Sequence, residues 1–295
     1  MTKIKKAIIP VGGSGKRFLP STKSIPKEMF PVGNQPVVMH VVEEIVRSGI
    51  EEIIFVLSTE KQAISHFFSP SEMQERLLLD YGKEEAVRQL REISQLAHFS
   101  YVYKTPPYGN GGALWPARHL VADEPFVVAW GDEFFLTKGE TRIKQCMDAF
   151  YRYEMPIVSA IEIEDKKRRS LYGIGELKDF NGEKNIKEIV KIVEKPEPGT
   201  EPSSYATHGA YIFTPAIFDA FVKTEKGKDN ELWMTDLINT MKPETGLLAC
   251  IIKDGVYLDC GNYCDYLRSQ IEYELITSPD PKNVKKMFKN ILKKY

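Results

Sequence analysis

The chain has 295 residues, 42% of them hydrophobic and 27% charged, a balance that fits a soluble globular protein with one large domain or two ordinary ones. Forty Lys and Arg stand against 41 Asp and Glu, so no global field draws the chain to nucleic acid or acidic surfaces, and any anion binding must be local. No apolar run approaches the roughly 20 residues that span a bilayer, which excludes a helical membrane span.

The start, MTKIKKAIIP, is basic, but its apolar run is only strand-length before Pro10. A signal peptide needs a longer core and a small-residue cleavage site. The start is therefore read as the first strand, and a cytoplasmic location is expected. Continuous apolar or aromatic runs at 7–11, 53–57, 99–103 and 126–130 suit central strands covered on both faces. Between the first two, the spacing predicts a helix over 36–48, with Pro36 in its first turn and Gly49 as its stop. Residues 83–97 and 141–153 are also helical in pattern. This alternation implies an α/β fold with a mixed, mostly parallel central sheet. Further strands are expected at 157–163, 206–213 and 247–252, with a polar turn at 181–184 and a loop at 199–204. No repeat or low-complexity segment is present, and no linker divides the chain.

The C-terminal stretch PDPKNVKKMFKNILKKY puts Val284, Met287, Phe288, Ile291, Leu292 and Tyr295 on one helical face and lysines on the other. Such a basic amphipathic helix could lie on a membrane; docking on its own core or a second subunit is the expected use. The four cysteines, Cys146, Cys250, Cys260 and Cys264, lack zinc-ligand spacing and read as buried free thiols in a reducing compartment.

The most informative stretch follows the first strand: IIPVGGSGKRFLPSTKSIPKEMFP, residues 8–31. A Walker A loop would need glycine at Pro10 and a hydroxyl at Arg17, and a G-x-G-x-x-G fingerprint fails at Phe18 or Ser14. What remains is a glycine turn whose amides can approach a ligand, followed by Lys16, Arg17 and Lys27. A triphosphate suits that set, although a solvated turn with surface lysines is the plain alternative.

Residues 10–31 closely resemble the signature I-P-x-A-G-x-G-T-R-x-L-P-x-T-K-x-x-P-K-E-M-x-P of sugar-1-phosphate nucleotidylyltransferases, within them the bacterial UTP–glucose-1-phosphate uridylyltransferases. VVEEIVRSGIEEIIFV, DEPFVVAWGDE, YGIGEL, IVEKP, MTDLI and LDCGNYCDYLRSQIEYEL extend the resemblance in order over nearly the whole chain. The helical insertion between 57 and 99 also resembles the uridylyl group, since thymidylyl enzymes usually have a shorter connection.

The resemblance implies a Rossmann-like nucleotidyltransferase domain over 1–261 with a C-terminal helical extension over 262–295. It implies Mg²⁺-dependent reaction of UTP with glucose 1-phosphate to give UDP-glucose and pyrophosphate, in a homodimer or homotetramer. Gly12, Gly13, Gly15, Lys16, Arg17, Lys27, Lys104, Gly109 and Gly131 would bind the nucleotide, with Arg17 and Lys27 neutralising the leaving pyrophosphate. Asp132 and Asp259 would hold the metal. Glu194 and Lys195 would take the sugar hydroxyls and phosphate, and Gly173 would allow close approach to the hexose; Arg17, Lys27 and Lys195 are the expected catalytic groups.

Three departures bear on substrates. Lys104 stands where the family usually has a base-reading Gln, and Gly112 where it has His. Gly209-Ala210-Tyr211 replaces Gly-Arg-Tyr, removing one cation. Trp233 replaces Gln in ELWMTD; it could pack against a sugar face, and filling the core is its expected use. These leave open another base (dTTP first), another hexose 1-phosphate, or an inactive sugar-nucleotide sensor or assembly subunit.

Overall fold

A computed structural model describes residues 3–106, 108–227 and 230–295. The first strand, β1 (Lys6–Pro10), leads into the signature loop, which ends in the short pair β2 (Pro31–Val32) and β3 (Gln35–Pro36). Helix α1 (Val37–Arg47) follows, then β4 (Glu52–Leu57), the insertion α2 (Gln62–Phe68), α3 (Glu72–Asp80) and α4 (Glu84–Gln95), and β5 (His98–Tyr103). Next come α5 (Arg118–Val121), β6 (Phe126–Val128), β7 (Glu133–Thr137), α6 (Arg142–Tyr153), β8 (Ile157–Glu162) and α7 (Lys166–Arg169). The remainder is β9 (Gly173–Asp179), β10 (Ile186–Glu194), β11 (Tyr205–Phe213), α8 (Ala216–Lys223), α9 (Met234–Thr245), β12 (Leu248–Ile251), β13 (Gly255–Asp259), α10 (Tyr263–Thr277) and α11 (Pro281–Leu292).

Nine strands form the main sheet in the order β5-β4-β1-β6-β11-β8-β12-β10-β9, with β9 also pairing to β11. The strand periodicity explains why its first half is buried on both faces. In β1, Ala7 and Ile9 join the core on the α1 and α6 side, while Ile8 faces the α8 and α9 side; Phe55 and Val56 of β4 divide the same way. The sheet is mixed, but its parallel share is smaller than the alternation suggests. β5, β4, β1 and β6 are parallel neighbours, as are β8 and β12, whereas β11, β10 and β9 pair antiparallel throughout. For β9 and β10 the physical reason is local: their short connection turns through Asn181 (φ 50) and Gly182 (φ 73), which only an antiparallel pair accepts.

Two features position the site. β11 carries a bulge between His208 and Tyr211, at Gly209-Ala210. A separate two-stranded sheet pairs β7 with β13, with Asp259 opposite Glu133. The C-terminal helix α10, capped by Asn262 through the Asp265 amide, packs on the end of the signature loop. There, Tyr266 and Gln270 both donate to the Pro31 carbonyl. α11 packs on α10 with Val284 and Phe288 half-buried, while Met287 and Ile291 remain 51% and 45% exposed.

Candidate active site

The signature loop is held by its apolar residues. Phe18, Phe30 and Tyr266 form an edge-on aromatic cluster with ring centres 5.1–5.9 Å apart. Gly15 takes φ +63, and the Thr22 hydroxyl donates to its carbonyl at 2.8 Å. With the loop so anchored, Gly12, Gly13, Gly15, Lys16, Arg17 and Lys27 all line one cleft of about 830 Å³. Lys16 and Arg17 are exposed at its wall. Lys27 is largely buried at its floor, where its ammonium is paired with Asp132. Burial opposes its charge, but the carboxylates of Asp132 and Glu28 outweigh it and raise the Lys27 pKa.

Glu28, the neighbour that the sequence reading left without a role, also lines the cleft. It accepts both oxygens' worth of hydrogen bonding, at 2.7 and 2.6 Å, from Lys61, a buried lysine just before α2. Burial dominates both shifts, raising the Glu28 pKa and lowering that of Lys61.

The two carboxylates expected to hold metal are brought together. Asp132 Oδ2 and Asp259 Oδ1 lie 3.3 and 3.0 Å from the point where a Cβ on Gly261 would sit, so only glycine leaves the space between them open. Asp259 receives two neutral hydrogen bonds, from the Gly261 amide at 2.7 Å and the Tyr172 hydroxyl at 3.1 Å. Burial pushes its pKa up to about 7, the Gly261 amide opposing and the negative charges of Asp132 and Glu133 adding. A half-buried carboxyl with that much unmet charge fits a hard divalent cation shared with Asp132. Tyr172 was missed by sequence reading, although it opens the YGIGEL motif.

The residues expected to bind the sugar, Gly173, Glu194 and Lys195, do not line that cleft; β10 ends at Glu194, and Lys195 follows with φ +43, its amide bonded to the Tyr172 carbonyl. Its ammonium lies 3.5 Å from Glu194 and 4.6 Å over the ring of Trp233. Trp233 is therefore not a core residue: it is half-buried, N-terminal to α9, and its face carries the lysine. Gly173 is buried in β9, where a Cβ would press on Thr207, Ile192 and Thr235 at 3.1–3.3 Å; its glycine serves strand packing.

At the opposite rim, Lys104 lines the cleft and donates to the Gly12 carbonyl at 2.9 Å. Gly109 (φ +111) lets the 108–111 turn lie against the backbone of Leu232, where any Cβ would fall 2.4 Å from a carbonyl oxygen. Gly131 lines β1 instead, since a Cβ there would overlap Val11. Ala210 is fully buried in the core on the α1 and α6 side, so a side chain at this position points away from the cleft.

A glycine-rich, cationic loop beyond the end of β1 faces two converging carboxylates. That combination defines a nucleotide-binding phosphotransfer site on an open α/β sheet. The nucleotidyl transferase family model matches residues 6–275, and the chain belongs to that family. Within it, the chain is 35% identical over 276 residues to a UTP–glucose-1-phosphate uridylyltransferase of Bacillus subtilis, covering 93% of this chain and 92% of that one. It is 36% identical over 292 residues to one of Staphylococcus haemolyticus, covering 99% and 98%. The crystal structure of a UDP-glucose pyrophosphorylase complexed with UDP-glucose superposes with a TM-score of 0.82 at 32% identity, over 92% of this chain and 98% of that one.

Proposed function

We propose that the protein transfers the uridylyl group of UTP to glucose 1-phosphate, forming UDP-glucose and pyrophosphate. The observation that carries this reading is the convergence of the loop cations and Asp132 on one cleft, with Asp259 beside Asp132 at the cleft-lining Gly261, in a chain similar over its length to enzymes of that name. A phosphate oxygen of the sugar attacks the α-phosphorus, and the bond from that phosphorus to the pyrophosphate oxygen breaks. Both reactants are anions, so positioning and electrostatics supply most of the acceleration.

The amides of Gly12, Gly13 and Gly15 with Lys16 and Arg17 hold the triphosphate, and Arg17 and Lys27 offset the charge developing on pyrophosphate. Lys195, steered by Glu194 and the Trp233 ring, brings the sugar phosphate forward. Asp132 and Asp259 would hold Mg²⁺, which when bound neutralises phosphate charge. Lys104 sits where a donor can meet a base carbonyl, and Gly109 forms the wall of that slot. A donor-only ammonium in place of an amide also favours a second reading, the same reaction with another base, dTTP first. The cytoplasmic location and a homodimer or homotetramer complete the proposal.

The test is pyrophosphate release with glucose 1-phosphate and each of UTP, dTTP, ATP, CTP and GTP, with and without Mg²⁺. Metal-dependent release with UTP is expected. Release with another base alone moves the enzyme within its family. Silence with every nucleotide and with other hexose phosphates leaves a sensor or assembly subunit.

A further inference from the structure

Arg142, at the first position of α6, is fully buried, and its interactions define a role outside the cleft. Its Nε and Nη2 donate to the two carboxylate oxygens of Glu44 on α1, at 3.1 and 2.9 Å. Its Nη1 donates to the Gly209 carbonyl in the β11 bulge and stands 3.5 Å from Glu133 Oε1 on β7. The guanidinium also lies 4.6 Å over the ring of Phe135, two residues along the same strand. A charge this deep persists only because it is paired on several sides.

The pairing reaches the metal-binding carboxylates indirectly. Glu133 follows Asp132 in sequence and lies opposite Asp259 in the β7–β13 register. Its second oxygen accepts from the Tyr257 hydroxyl at 2.7 Å, so Glu133 joins both strands of the β7–β13 pair. One guanidinium thus connects α1, the β11 bulge and the two strands whose ends carry Asp132 and Asp259. Neither Arg142 nor Glu133 lines the cleft.

Position 210 supplies the second observation. The motif that resembles Gly-Arg-Tyr has alanine there, and Ala210 faces the same core that α1 and α6 enclose. Arg142 bonds the carbonyl of the residue just before it. We propose that Arg142 is a positioning residue: from α6 it delivers the guanidinium that the resembled motif carries at position 210, and by bracing Glu133 it fixes the spacing of Asp132 and Asp259. This rests on the reading of those two carboxylates as the metal pair, while the bracing itself can be measured without metal or substrate.

The experiment compares the full-length wild type with Arg142→Met, Arg142→Lys and the double variant Arg142→Met/Ala210→Arg. Amide hydrogen exchange is read over 133–137 and 255–259, Mn²⁺ binding with UTP by electron paramagnetic resonance, and turnover by pyrophosphate release. Arg142→Met should speed exchange in the β7–β13 pair by roughly 10-fold or more relative to α4. It should weaken Mn²⁺ binding and lower kcat by up to about 100-fold, with a smaller change in KM for glucose 1-phosphate. Arg142→Lys, which keeps the charge but lacks the planar fork, should fall between; if Arg142→Met does not fold, this variant carries the comparison. The double variant should regain protection, metal affinity and turnover together. Exchange in the β7–β13 pair unchanged in both single variants, or a double variant as impaired as Arg142→Met, overturns the proposal. A wild type inactive with every nucleotide, beside Arg142 variants with a loosened β7–β13 pair, sinks the proposed reaction and leaves the bracing standing.

Discussion

Asp259 shows how one side chain couples the site to stability. Its carboxyl titrates near 7 in the folded chain against an ordinary value of 3.8, chiefly because it is buried. Between these values the folded state binds the extra proton, so the contribution is fully stabilising below about pH 4 and is lost as pH rises through 7. Above that, without a divalent cation, the folded protein carries an ionised carboxylate with no cation matched to it. Asp259→Asn should therefore stabilise the metal-free protein at pH 8 by about 1–3 kcal/mol, with a much smaller gain at pH 4. Calorimetry at the two pH values checks this. Adding Mg²⁺ with UTP should reverse the order, because only the wild type gains from an ion bound to the folded state. The same substitution should remove nearly all turnover, and the Mg²⁺ requirement of the wild type should rise as pH falls below 7, where the proton competes with the metal.

At the scale of elements, the buried Lys61–Glu28 pair fastens the start of the helical insertion to the floor of the cleft. Removing one partner strands the other charge in a dry site, so Lys61→Met should cost about 3–5 kcal/mol in urea unfolding. Lys61→Met/Glu28→Leu should recover much of that loss, and equal destabilisation in single and double variants would show that the pair is not coupled. This pair also marks where sequence reading stops. The signature loop was legible because its glycines, cations and prolines are contiguous, and the α/β alternation because hydrophobic periodicity is local. Asp132 and Asp259 were legible only through the resemblance. Lys61 and Glu28 are 33 positions apart, and Arg142 and Glu44 are 98 apart; a lysine or arginine that will be buried looks the same in sequence as one on the surface. Trp233 was misplaced for a related reason: an aromatic residue at a helix start reads as core until Lys195, from another strand, is found on its face.

Among the described residues, two large apolar clusters lie on opposite faces of one sheet, both closed by its own helices, and a smaller third gathers Ile163, Tyr172, Ile174 and Ala206. α11 does not share that closure. None of its residues is fully buried, and Met287, Ile291 and Leu292 are 51%, 45% and 75% exposed on the face opposite its lysines. Leaving such a stripe in water forgoes roughly 25 cal/mol for every Å² of apolar surface that could be covered. A second copy of the chain offers the same stripe, and a two-fold contact sets one stripe against the other while the lysine faces turn outward to solvent. We propose that the homodimer or homotetramer expected from the sequence forms through this helix. Met287→Glu/Ile291→Glu should convert the assembly to monomers in sedimentation equilibrium, with turnover per chain unchanged because α11 contributes nothing to the cleft. A wild type that sediments as a monomer, or a variant that keeps the wild-type mass, would move the subunit contact away from α11.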